Sequence, residues 1–106
     1  MSMNFDNLFA QANQFKENMA QAKRTLAVKT TEVKGGQGAV SVIINGLGEI
    51  KEIRLSPNAM STLGREKLQR VLTETVNAAF ARSKDFAGKT MSELTGIDIN
   101  SLSNLF

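Results

Sequence analysis

The stretch GAVSVIINGLGEIKEIRLSP, residues 38–57, decides the fold. Val40, Val42 and Ile44 alternate with Ser41 and Ile43, the period of two that places every second side chain on one face of a strand. This run, Ala39–Ile44, is the most apolar of the candidate strands and is expected at the centre of a sheet. Asn45-Gly46-Leu47-Gly48 follows, and Asn and Gly accept the positive φ angles that a tight hairpin requires. Glu49–Leu55 is then the returning strand, ended by Ser56-Pro57.

Working outward, VKTTEV at residues 28–33 is β-branched and half polar, which suits an edge strand joined to the centre through Gly35-Gly36-Gln37-Gly38. Before it, Phe5, Leu8, Ala12, Phe15, Met19, Ala22 and Leu26 alternate spacings of three and four, the apolar seam of a helix over about residues 4–27. Asn4 can cap that helix, and Asp6 lies where its dipole favours an acid. Beyond the hairpin, Leu68, Leu72, Val76, Ala79, Ser83 and Phe86 predict a second long helix over about residues 65–87. Its polar side carries Lys67, Arg70, Glu74, Asn77, Lys84 and Asp85. Gly88 is expected to break it, Thr90–Glu93 to open a short extra turn, and 88–106 to form a short tail.

The order is α-β-β-β-α: an α+β fold, with a three-stranded antiparallel sheet and two long helices, in one domain over residues 1–106. A sheet with two open edges, flanked by helices longer than itself, leaves apolar surface uncovered. A second copy of the chain would cover it, so a homodimer is expected.

Composition excludes much chemistry. The 106 residues hold no Cys and no His, which removes disulfides, thiolate nucleophiles, zinc–sulfur sites and the commonest general base. The carboxylates are scattered over polar faces, no EF-hand loop is present, and neither glycine-rich turn leads into a helix with a Lys-Ser/Thr ending. No catalytic residue, metal site, cofactor or small-molecule substrate is therefore expected. No apolar run approaches the roughly 20 residues that cross a bilayer, and no secretory leader is evident, so a cytoplasmic protein without a membrane partner is expected.

The net charge is only +3. Its distribution is more telling: residues 56–89 carry six basic and three acidic groups, whereas the segment from Thr90 onward carries two acids and no base. Taken singly, basic residues beside a helix seam are ordinary solubilising charges. Gathered on paired helices, they would make a stripe suited to phosphates, positioning a duplex without reading its sequence.

The segment 38–57 resembles the signature of the YbaB/EbfC family of bacterial nucleoid-associated proteins. Gly38 precedes the Val40/Val42 strand, Asn45-Gly46 is followed by Gly48, and the return strand holds Ile53 and closes on Pro57. A helix rich in Gln, Met and Lys precedes the segment and one containing Asn77-Ala78-Ala79 follows, so the resemblance covers about residues 4–90. It implies an α-β-β-β-α homodimer joined through the sheet region, whose helices project like tweezers, binding double-stranded DNA with little sequence preference in the nucleoid. Choosing by charge and position, the DNA-contact candidates are Lys16, Lys23 and Arg24 on the first helix, and Arg82, Lys84 and Lys89 near the far end of the second. The rival reading is a protein-interaction or chaperone-like dimer without direct DNA binding. It would use an apolar groove involving Phe5, Phe9, Leu102, Leu105 and Phe106.

Overall fold

Val40–Asn45 forms the central strand, as its alternation predicts: Val40, Val42 and Ile44 are fully buried. The computed structural model describes residues 5–95, running α1 (Phe5–Val28), β1 (Thr30–Gly35), a 3-10 turn (Gly36–Gly38), β2 (Val40–Asn45), β3 (Ile50–Leu55), α2 (Ala59–Leu63) and α3 (Arg65–Thr95). The sheet is antiparallel in the order β1-β2-β3. Thr31, Ile44 and Ile50 share one row, and Val33, Val42 and Ile53 the next. Between those rows the pairing of β2 with β3 slips by one residue, from Ile43↔Glu52 to Ile44↔Ile50. Lys51 is thus the extra residue of a bulge, and Ile50 rather than a lysine comes to lie opposite Ile44.

The helix seam packs on one face of this sheet. Ala39, Val40, Val42, Ile44, Ala59, Leu68 and Ala79 form the buried cluster, with Val33, Leu63, Val71, Leu72 and Val76 packed around it. Where β1 turns into β2, α3 comes so close that a Cβ on Gly35 would collide with Thr75 Oγ1. The opposite face of the sheet is polar. Arg54 pairs with Glu52 at 2.8 Å and Glu32 at 3.8 Å, and Lys34 with Glu32 at 3.6 Å, above the buried Ser41.

Two expectations need correction. Helix α3 does not stop near residue 87; it runs without interruption to Thr95, so residues 88–95 of the segment 88–106 assigned as a tail are helix. A glycine inside a helix costs about 1 kcal/mol relative to alanine, too little to end one whose next turns find packing. Thr90 is buried, and Met91 lines a hollow with Met19, Ala20 and Leu26 of α1, so continuation of α3 is rewarded by contact with α1. Thr90–Glu93 accordingly lies inside α3 and opens no separate turn. The unassigned stretch 58–64 holds the short helix α2, which closes one end of the core through Ala59.

The molecule is long and thin. Its principal extents are 74 × 28 × 16 Å and its radius of gyration is 19.7 Å, against about 13 Å for a compact chain of similar length. Ala22 and Leu26 of α1 are buried, whereas Phe5, Leu8, Phe9 and Phe15 are exposed, so the first half of α1 stands clear of the described body as an arm.

Candidate nucleic-acid interface

The arm is anchored by the Asn45–Gly48 hairpin. Asn45 is buried, and its side-chain amide donates to Ala27 O at 3.0 Å and to Glu49 Oε1 at 2.7 Å. Its Oδ1 accepts from the backbone N–H groups of Leu47 and Glu49, both at 3.0 Å. Gly46 N–H donates to Leu26 O at 2.8 Å, and Lys29 N–H to Thr25 O at 3.2 Å. Carbonyls at a helix C-terminus have no partner within the helix, so the hairpin supplies α1 with its cap from elsewhere in the chain. On the other side, Ser83 Oγ donates to Asn45 O at 2.7 Å, tying α3 to the same point. The sequence marked Asn45 only as a turn residue; nothing in it showed that the residue joins α1, the sheet and α3.

All six basic residues singled out by sequence are exposed. Lys16, Lys23 and Arg24 lie along α1, and Arg82, Lys84 and Lys89 along α3. The structure brings some of them together. Arg82 and Lys89 share the lining of a cleft of about 590 Å³ with Lys29, Thr30, Thr31, Asn45, Ser83, Asp85 and Phe86. Lys23 lines a separate apolar hollow with Met19, Ala20, Leu26 and Met91. Lys84, two residues beyond Arg82, is turned through about 200° and faces away from that cleft. Lys16 and Arg24 line neither hollow.

The charge environment separates these cations from those of the sheet. Lys34, Lys51 and Arg54 are each within 4.0 Å of a carboxylate. The hydrogen bond from Arg54 holds the Glu52 carboxyl below the usual carboxylate range. None of the six candidate residues, nor Lys29, makes an ion pair with a described residue. Lys29 is the residue that sequence reasoning missed. It sits in the single-residue junction between α1 and β1, and its part in the cleft depends on a packing angle that no local pattern encodes.

No three His, Cys, Asp or Glu side chains among the described residues are grouped to hold a metal ion. No described helix is long and apolar enough to cross a membrane. Two long helices packed around a three-stranded antiparallel sheet, with exposed basic residues on both helices, define an α-β-β-β-α protein. Residues 1–97 match the model of the YbaB/EbfC DNA-binding family, and the chain belongs to that family. It is 36% identical over 93 residues to a nucleoid-associated protein of Ruminiclostridium cellulolyticum, covering 88% of this chain and 81% of that one. It is 37% identical over 93 residues to a nucleoid-associated protein of Persephonella marina, covering 86% and 84%. The fold matches the crystal structure of an uncharacterized protein from Helicobacter pylori with a TM-score of 0.77 and 21% identity, covering 89% of this chain and 99% of that one. Neither the family nor these relatives bears the name of an enzyme.

Proposed function

We propose that the chain is a homodimeric nucleoid-associated protein that binds double-stranded DNA with little sequence specificity, through basic residues on its projecting helices. The observation that carries this reading is the confinement of ion pairs, among the described residues, to the sheet and its hairpin. Sheet cations are neutralised by neighbouring carboxylates, whereas Lys16, Lys23, Arg24, Arg82, Lys84 and Lys89 remain exposed and unpaired among the described residues of α1 and α3. The names of its relatives support a place in the nucleoid, and hence in the cytoplasm.

Affinity arising from phosphate neutralisation falls with salt. About four to six neutralised phosphates per dimer correspond to a slope of log affinity against log salt of roughly −4 to −5. Titration of labelled duplexes of unrelated sequence at several salt concentrations is expected to show that slope, with similar affinity for each duplex. Lys16→Glu and Lys84→Glu are each expected to weaken binding. A wild-type protein that binds no duplex even at low salt ends this reading.

The exposed Phe5, Leu8, Phe9 and Phe15 favour a second reading, a dimer that holds a protein partner along α1. It predicts duplex binding that is weak and indifferent to Lys16→Glu. The other residues assigned to that groove, Leu102, Leu105 and Phe106, lie outside the described residues.

A further inference from the structure

The cleft at the base of the arms has a composition that solubility alone does not require. Three cations line it, Lys29, Arg82 and Lys89, against one acid, Asp85. They come from two parts of the chain, the α1–β1 junction and α3, that are far apart in sequence. None of the three is paired with a described carboxylate. A smaller hollow of about 320 Å³ adjoins it, and Lys29, Phe86 and Lys89 belong to both.

The walls are also fixed before any ligand arrives. The bonds from Asn45 to Ala27 O, from Gly46 N–H to Leu26 O and from Ser83 to Asn45 O hold the end of α1, the hairpin and α3 in one arrangement. The backbone that carries the three cations is thereby positioned, so binding an anion does not require ordering a loop. Thr30 and Thr31 add hydroxyl groups at the same opening.

We propose that this cleft seats a backbone phosphate of the bound duplex, with Lys29 as a direct contact beside Arg82 and Lys89. The inference rests on the DNA-binding reading and extends the contact surface from the arms to their base. Asp85, the one acid of the cleft, opposes the phosphate, as does Glu93 of the adjoining hollow.

The test is anisotropy of a labelled duplex titrated with the full chain between about 50 and 200 mM salt. Lys29→Ala is expected to weaken binding by about 3- to 10-fold at low salt and to flatten the log–log slope by about one. Asp85→Asn is expected to tighten binding. Lys34→Ala removes the same charge from an ion pair on the polar sheet face and is expected to change affinity by less than about 2-fold. Equal weakening by Lys29→Ala and Lys34→Ala would mean that only total charge matters, and the cleft assignment falls. If Lys16→Glu weakens binding while Lys29→Ala lowers only the melting temperature, Lys29 is merely a cation stabilising the end of α1, and the assignment also falls. Inorganic phosphate that shifts the amide resonances of Lys29 and Ser83, with duplex affinity indifferent to Lys29→Ala, would reassign the cleft to a free anion. Failure of the wild type to bind duplex at all removes the DNA reading itself, a result distinct from each of these.

Discussion

At the scale of single residues, Asn45 and Gly46 carry more of the fold than their place in a turn suggests. Asn45 uses both amide protons and both lone pairs of its side chain, and it is buried. Asn45→Ala leaves Ala27 O and the N–H groups of Leu47 and Glu49 without that partner. Partnerless buried groups cost about 1–3 kcal/mol each, less where water reaches them, so a net loss of about 3 kcal/mol is expected in denaturant unfolding. Gly46 is required for a different reason: a Cβ there would stand 2.6 Å from Leu26 Cδ2 and 2.9 Å from Phe86 Cδ1. Gly46→Ala is therefore expected to destabilise by about 1–3 kcal/mol through overpacking, measured the same way. The dipeptide Asn-Gly was legible as a hairpin because its φ preference is local. Its grip on α1 was not, because the carbonyls it caps lie 18 or more residues away.

At the scale of elements, periodicity carried most of the information. The central strand, the hairpin and both long helices follow from spacing that a single window of sequence contains. Three features escaped it. The continuation of α3 past Gly88 depends on Thr90 and Met91 finding α1, which is a tertiary contact. The bulge at Lys51 depends on which residue must face Ile44 across the strand pair. Of the candidate site, the exposed basic residues and the outward turn of Lys84 were legible from helical phase, but the meeting of Arg82 and Lys89 with Lys29 in one cleft was not. Gly88 itself offers a test. A Cβ at this position meets nothing within 4 Å, and its backbone is helical. Gly88→Ala is expected to stabilise the protein by about 0.5–1 kcal/mol, seen as a raised melting temperature.

At the scale of the whole molecule, the surface left bare is informative. Helix α3 covers the β1 and β2 columns of the sheet's apolar face, while Ile50, Ile53 and Leu55 of β3 stay exposed at 37–46%. Met60 and Phe80 are exposed as well, and β3 has no described partner along its outer edge. An apolar row beside an open edge is what a second copy of the chain would bury. Sedimentation is expected to give about twice the 11.5 kDa of one chain, and Ile53→Lys to shift the protein toward a single chain and weaken duplex binding with it.

The hydrogen bonds from Asn45 and Gly46 to the end of α1 have one more consequence, and it is mechanical. Helix α1 is a lever whose pivot is the hairpin. Its 24 residues reach roughly 36 Å from that pivot, so a tilt of about 5° at the bonds displaces the tip by about 3 Å. Changes at the turn therefore move the tip of the arm without altering any residue on the arm itself.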